Sequence, residues 1–158
     1  MQAIHPLFGE LEYDDYEGYK TKKIVSFSGK ETEIELIIDV TTTDNEIEKD
    51  YCETYETLMI NWDEIVPNVM QAIIQYQNEN WSSTDHTQSF PQFKTSCDVL
   101  ENIKLFGIKI ATLIMGHKKQ KGCYVVLTFE AEWVNDDYGI LSVALDNGKV
   151  IEVSDQDI

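Results

Sequence analysis

Residues 44–77 read DNEIEKDYCETYETLMINWDEIVPNVMQAIIQYQ and are the only long stretch of this 158-residue chain with helical periodicity. The large apolar residues of its second half recur at intervals of four, three, four and four positions: Leu58, Trp62, Ile65, Val69 and Ile73. Such intervals place side chains in one stripe along a helix. We therefore expect a helix that buries one side in a core and exposes the other.

The start and the middle of this region carry helix signals. Thr43, followed three residues later by Glu46, can form a capping box at the beginning of a helix. Pro67 lacks an amide hydrogen, so the helix either kinks there or restarts near Asn61 with the proline in the early turns of a second helix. We expect two helical pieces in one line.

The first half of the region is strongly acidic. Nine carboxylates and one lysine lie between Asp39 and Glu64. Tyr51 and Tyr55 lie four residues apart among them, and aromatic side chains ringed by charge are typical of an interface with a basic protein. We therefore predict a partner-binding surface; the alternative is that these tyrosines are half-buried at the edge of the core. Its candidate residues are Glu46, Glu48, Asp50, Tyr51, Glu53, Tyr55 and Glu56, with Asp136, Asp137 and Tyr138 from a later acidic stretch.

Net charge is the most informative feature of the composition. The chain has 29 aspartates and glutamates, 12 basic residues that are all lysines, and a formal net charge of −17. A field of this sign repels nucleic acids and anionic membranes and attracts basic proteins. Without arginine, the chain also lacks the planar fork that recognises phosphate. We expect a basic protein partner, no nucleic acid and no membrane; the alternative is that the acidity only keeps the protein in solution.

Length and cysteine content indicate one reduced domain. A chain of this length can bury one core without disulfides. No apolar run approaches the 18 residues of a membrane span, and the first residues do not resemble a signal peptide. Cys52, Cys97 and Cys123 are far apart, which argues against a disulfide framework and a zinc site. We expect a single cytoplasmic domain over residues 1–158 with reduced thiols.

Alternation of polar and apolar residues predicts strands on both sides of the helical region. Residues 7–40 predict a three-stranded meander, and residues 106–153 predict a four-stranded meander in which Asn147-Gly148 is a tight turn. The expected fold class is α+β, an antiparallel sheet with helices packed on one face.

The segment between these meanders contains more than the long helical region. A polar loop is expected over residues 78–95, after helices over about residues 44–77. A short helix over about residues 97–105 is expected to follow, capped by Ser96 or Asp98.

The sequence carries no recognisable catalytic signature. A glycine-rich phosphate loop, a His-Glu-x-x-His pair and a Gly-x-Ser-x-Gly turn are all absent from it. His5, His86 and His117 are scattered over predicted termini and loops, and acid pairs such as Glu130 with Glu132 are inevitable among 29 acids. We expect no catalytic residues, no cofactor and no metal.

Short motifs occur at both ends of the chain. The beginning is Leu7-Phe8-Gly9-Glu10-Leu11, and the ending combines WVNDDYGI at residues 133–140, NGKV at residues 147–150 and QDI at residues 156–158. In these motifs the chain resembles a family of small acidic bacterial domains of unknown function, which pair a Phe-Gly opening hairpin with a closing Trp, acid and Gly strand motif. It departs from that pattern at Tyr138, where histidine is expected, and at Ser154, where glycine is expected.

This resemblance implies a fold more than a function. Such domains are similar in style to immunity proteins of bacterial toxin systems, which bind and block a toxin. We therefore expect a non-enzymatic, immunity-like inhibitor that docks on a basic partner such as a toxin. The alternatives are a small hydrolase or ligand-binding protein that uses residues 78–94 as a lid, and a structural module. Homo-oligomerisation is left open.

Overall fold

The computed structural model describes residues 2–40, 47–81, 95–119, 121–131 and 140–154, which form ten strands and three helices. The strands are β1 (Gln2–His5), β2 (Gly9–Asp14), β3 (Gly18–Phe27), β4 (Lys30–Asp39), β5 (Lys104–Ala111), β6 (Leu113–Ile114), β7 (His117–Lys118), β8 (Tyr124–Glu130), β9 (Ile140–Asp146) and β10 (Lys149–Ser154). The helices are α1 (Lys49–Ile60), α2 (Trp62–Trp81) and α3 (Ser96–Asn102).

Eight strands form one sheet in the order β1-β2-β3-β4-β5-β8-β9-β10. All neighbours in it are antiparallel except β4 and β5, which run parallel with Leu36 opposite Ile108 and Ile38 opposite Ile110. The remaining strands, β6 and β7, form a separate hairpin. The α+β prediction is confirmed, whereas the expectation of a wholly antiparallel sheet is wrong because of this one pair.

The parallel pair explains where the helices lie in the sequence. Two parallel strands need a long crossover, because the chain must return to the same end of the sheet before it pairs again. The segment between Asp39 and Lys104 supplies this crossover and contains α1, α2 and α3. The helical region thus joins the two halves of one sheet, which meet at this parallel pair.

The N-terminal hairpin begins earlier than the sequence indicates. β1 pairs with β2 so that Ile4 lies opposite Glu10, which gives this half of the sheet four strands where three were predicted. Phe8 is fully buried, and Gly9 has a φ of 81°. A Phe-Gly pair therefore lies at the turn of the opening hairpin, because glycine tolerates the positive φ that follows the turn.

The break between the two long helices is confirmed. α1 ends at Ile60 and α2 begins at Trp62, so only Asn61 separates them, and Pro67 lies within α2. α2 continues to Trp81, so the first four residues of the predicted polar loop are helical.

Two helix starts differ from the prediction. α1 begins at Lys49 after an extended Glu48, and the predicted capping box of Thr43 and Glu46 lies outside the described residues. The N-cap of α3 is Thr95, whose N–H donates to Asp98 Oδ2 at 3.0 Å. Asp98 is therefore the third helical residue of a capping box and not the cap itself.

The apolar stripe predicted from the sequence is confirmed. Its five residues are at most 6% exposed. They belong to one core cluster with alternate residues of the strands, so the helices cover one face of the sheet. The strand residues in that cluster include Ile34, Leu36, Ile38, Val125, Leu127, Phe129, Leu141, Val143 and Leu145.

Two hydrogen bonds fix the helices on the sheet. The Tyr51 hydroxyl donates to the carbonyl oxygen of Asp39, the last residue of β4, at 3.0 Å. The Trp62 ring nitrogen donates to the carbonyl oxygen of Ser26, near the end of β3, at 2.5 Å. Both bonds join the beginning of a helix to the end of a strand, so they set the position of α1 over the sheet.

The opposite face of the sheet is largely charged in its N-terminal half. Glu10 and Glu12 alternate there with the buried Leu11, and Lys22 forms an exposed ion pair with Glu33 at 3.7 Å. In the other half, a small second cluster consists of Ala111, Ile114, Val126 and Ala144.

The two end strands of the described sheet are short or irregular. β1 has four residues, and β10 has a register shift between Val150 and Glu152 that leaves Ile151 46% exposed. Within the described ranges, none of the helices combines the length and the apolar character needed to cross a membrane.

Replacing Ile73 by aspartate tests the register of α2. Ile73 is fully buried, so an unpaired charge there should lower the free energy of unfolding by about 4 kcal/mol or more. Gln71→Asp places the same side chain on the exposed side of α2 and should cost about 1 kcal/mol or less. Urea unfolding followed by circular dichroism measures both. An Ile73→Asp variant with the wild-type midpoint would refute the register.

Candidate binding cleft

A cleft of about 700 Å³ lies between the helices and one end of the sheet. One wall is formed by α1 and the beginning of α2, and the other by residues 121–125 and the turn between β9 and β10. Its floor is apolar, because Leu58 and Ile65 meet Val125 and Leu145 there. The volume is within the usual range of small-molecule sites.

The rim of the cleft is polar and mainly acidic. Asp50, Glu53 and Glu64 contribute three carboxylates, and Lys121 contributes the one positive charge of the lining. The side-chain amides of Asn61, Asn68 and Asn147 complete the rim. The cleft thus combines an apolar floor with a net negative edge.

The predicted acidic residues of α1 fall on two neighbouring sides of the helix. Glu53 and Glu56 are exposed on the side that also carries Lys49, which forms an ion pair with Glu53 at 3.3 Å. Asp50 is half-buried on the cleft side, and its Oδ2 accepts a hydrogen bond from the Gly122 N–H at 3.2 Å. Exposed Glu48 is the N-cap.

The two predicted aromatic anchors are in the core or at its edge. Tyr51 is fully buried, and its hydroxyl bonds to the sheet, so its ring cannot reach a partner. This corrects the expectation that it is a surface anchor. Tyr55 is half-buried and packs edge-on against Phe8, with 5.1 Å between the ring centroids. A tyrosine hydroxyl needs only one polar contact to be buried, so tyrosines in an acidic helix can still face the core.

Several predicted residues lie outside the described part of the chain. They are Glu46, Asp136, Asp137 and Tyr138, together with residues 82–94 of the predicted lid.

Lys119 holds the loop that forms one wall of the cleft. Its ammonium forms an ion pair with Asp146 and lies 5.5 Å from the centroid of the Tyr124 ring. Its backbone N–H donates to the carbonyl oxygen of Thr112 at 2.8 Å. These contacts fix the chain just before Lys121 and Gly122, so the position of the wall does not depend on Asp50 alone.

Cys123 lies at the back of the cleft with 3% of its surface exposed. Burial raises the pKa of its thiol to about 11, with the charge of Asp50 acting in the same direction and the Thr54 hydroxyl opposing it. The thiolate is the nucleophilic form of cysteine, so this residue is unreactive near neutral pH.

A second cysteine lies near a histidine, but the pair is not arranged for catalysis. Cys52 Sγ is 3.8 Å from His5 Nε2, while His5 Nδ1 accepts a hydrogen bond from the Leu7 N–H at 3.0 Å. Neutral His5 therefore carries its proton on Nε2 and presents a donor to the sulfur, where nucleophilic catalysis needs an acceptor. Burial, with nearby Glu56 and Glu53, also raises the pKa of Cys52.

Among the residues that the structure describes, no three His, Cys, Asp or Glu side chains are grouped so that they could hold an ion. His117 is exposed in β7, and His86 is outside the described ranges.

A model of a domain of unknown function, DUF6985, matches residues 7–158. The chain belongs to this family. The resemblance to a family of domains of unknown function is thereby confirmed, and the match includes every residue that lines the cleft. No curated protein and no solved structure matches the chain.

The raised pKa of Cys123 predicts a loss of stability at high pH. The thiol form is favoured in the fold, so its contribution is fully present below about pH 9, the pKa of the unfolded thiol, and is lost as the pH rises through about 11. By pH 11 the wild type should lose about 2 kcal/mol more than a Cys123→Ala variant.

Val125→Ala is the matched control for this prediction. It also removes atoms from the floor of the cleft but introduces no change in titration, so its free energy of unfolding should run parallel to the wild type between pH 8 and pH 11. Denaturant unfolding at several pH values measures all three proteins. A Cys123→Ala curve parallel to the wild type would show that the thiol ionises without cost.

Proposed function

We propose that this domain is a non-enzymatic binding protein of the bacterial cytoplasm, an immunity-like inhibitor that docks α1 on a basic partner such as a toxin. The proposed surface, the acidic helix face, consists of Lys49, Glu53, Glu56 and Ile60, with Glu48 at its beginning. The observation that carries the proposal is Ile60, a large apolar side chain that is 81% exposed at the end of α1, four residues after Glu56.

An exposed isoleucine on the same side of a helix as acidic residues has the composition of an interface anchor. Interfaces combine an apolar centre, which supplies most of the contact energy, with a charged rim that excludes water and favours the correct partner. Ile60 lies four residues after Glu56 and seven after Glu53, so the three side chains share one side of α1. Ile60 thus takes the anchoring role that the sequence assigned to Tyr51 and Tyr55.

Long-range charge supports a basic partner over a second copy of the chain. A net charge of −17 attracts a positively charged protein and increases its association rate at low salt. Two copies of the chain repel each other through the same charge. The proposal therefore assigns the surface to a partner of opposite charge.

Enzymatic function has less support than binding. Burial raises the pKa of both Cys52 and Cys123, and the His5 ring nitrogen that lies nearest Cys52 is a donor, so it cannot accept the thiol proton. A small-molecule ligand remains the second candidate, because the cleft has a suitable volume and a mixed lining.

Neutralising the acidic helix face tests the proposal. Glu48, Glu53 and Glu56 are all changed to glutamine, and association is measured by surface plasmon resonance with a basic protein captured from the source cells at low salt. Association should slow about five-fold or more at low salt, because rim charges act on the encounter rate. The difference should shrink as salt rises and the Debye length falls to about 8 Å or less.

The matched control changes Glu10, Glu12 and Glu152 to glutamine. These exposed acids lie on the opposite face of the sheet, and their replacement alters the net charge by the same amount. It should leave the association rate within about two-fold of the wild type, since steering depends on where the charge is. Equal slowing by both triple variants would mean that only total charge matters, and the acidic helix face would then have no special role.

Replacing Ile60 by serine tests the anchor. Dissociation of the same captured partner should become about five-fold faster or more, while association changes little, because a lost apolar contact removes short-range energy and leaves long-range attraction intact. Ile4→Ser is the control, since Ile4 is 82% exposed but lies in β1. If both variants dissociate alike, Ile60 is not the anchor.

A further inference from the structure

The cleft beside the acidic helix face has an apolar region and a polar region. These regions suit a ligand group that is apolar along its length and polar at its end. Leu58, Ile65, Val125 and Leu145 form an apolar floor, and carboxylates and amides form the rim above it. A lysine side chain has the same division, with four methylenes that bury on apolar surface and an ammonium that stays among polar groups. Its three N–H donors match a rim made of oxygen acceptors.

The rim carboxylates retain capacity for an added cation. Asp50 uses one oxygen for the Gly122 N–H, and an ionised carboxylate offers about four acceptor positions. Glu53 pairs with Lys49 only at the surface, where both side chains are more than half exposed, and such pairs contribute little. In the described part of the chain, Glu64 makes no ion pair.

We infer that the cleft binds a lysine side chain of the basic partner, with its aliphatic stem on the apolar floor and its ammonium among Asp50, Glu53 and Glu64. This inference rests on the proposed function, because it names the group by which that partner is recognised. Glu53 belongs to both the cleft and the acidic helix face, so the two sites are continuous.

Lys121 makes the inference testable in two directions. It is the one positive charge in the lining, and it is exposed, so its removal should not disturb the fold. An added cation is repelled by Lys121 and attracted by Glu64. Lys121→Gln should therefore tighten the binding of a lysine side chain, and Glu64→Gln should weaken it.

The probe for these variants is Nα-acetyl-lysine methylamide, which presents a lysine side chain without backbone charge. Titration of the full ¹⁵N-labelled chain at low salt should give saturable amide shifts concentrated at Leu58, Asn61 and Gly122. The dissociation constant should rise about three- to ten-fold in Glu64→Gln and fall by a similar factor in Lys121→Gln. Lys30→Gln and Glu10→Gln, which make the same charge changes at exposed sites far from the cleft lining, should leave it unchanged.

Three further ligands test separately whether the aliphatic stem, the charge and the attachment to a peptide backbone are needed for binding. Nα-acetyl-norleucine methylamide has an aliphatic side chain and no charge, and ammonium chloride has the charge and no stem; neither should saturate the cleft at the same concentration. Cadaverine carries the same alkylammonium as a free diamine. Binding of cadaverine more than ten-fold tighter than the lysine probe would overturn the assignment to a protein side chain.

The outcomes distinguish this inference from the proposed function. Shifts spread over exposed carboxylates such as Glu10 and Glu12, without saturation in the cleft, would overturn the inference. A partner that responds to the triple α1 variant but binds Glu64→Gln and Lys121→Gln like the wild type would also overturn it, and the proposed function would stand. Saturation of the cleft with no effect of the triple variant on the partner would remove the proposed function and, with it, the assignment of the lysine to that partner, while the cleft would remain a site for a lysine side chain.

Discussion

The parallel pairing of β4 with β5 is the constraint on which the rest of the structure depends. Every other pair of neighbours in the eight-stranded sheet is antiparallel and lies close in sequence, but this pair joins residues about 70 positions apart, such as Leu36 and Ile108. The crossover that it requires contains the three described helices and must return over one face of the sheet. The apolar stripe from Leu58 to Ile73 is the part of the crossover that makes this return favourable, since it buries against that face.

The position of the crossover also creates the cleft. Tyr51 bonds to the end of β4 and Trp62 to the end of β3, and these two points lie at opposite ends of the antiparallel pair, so α1 extends from one end of the sheet toward the other. The loop held by Lys119 closes the space from the other side, and the cleft is what remains between them. One helix thus has three roles: one side packs in the core, the next lines the cleft with Asp50, and the third exposes Glu56 and Ile60.

Local patterns in the sequence predicted local structure well. The helical stripe, the break near Asn61 and the tight turn at Asn147-Gly148, where both residues have positive φ, all follow from the spacing or the backbone preferences of neighbouring residues. Features that depend on distant pairing were missed. The β4–β5 pair leaves no periodicity of its own, and β1 is too short to show alternation.

The candidate site shows the same division between local and distant information. Its acidic half on α1 was visible in the sequence, but the opposing wall comes from residues 121–125, about 70 positions away, where only glycine and lysine mark a turn. Tyr51 was assigned to the surface because its neighbours are acidic, although its interval of seven to Leu58 places it on the buried side of the helix. Lys121 and Gly122 mark a turn in the sequence, but they do not identify Asp50 as the hydrogen-bond partner of the Gly122 backbone.

The ends of the sheet affect how another chain can approach. The outer strands of an open sheet normally have unpaired main-chain donors and acceptors. A segment of another chain can therefore pair with them through main-chain hydrogen bonds alone, whatever its sequence. In the described part of the chain, one outer strand has four residues and the other is interrupted by a bulge at Ile151, so neither presents a long regular row of donors and acceptors. Strand addition is thereby discouraged, and with it the indiscriminate pairing that leads to fibres. Selection between binding partners therefore depends on side-chain contacts. These contacts are determined by the sequence of the partner and not by its extended conformation.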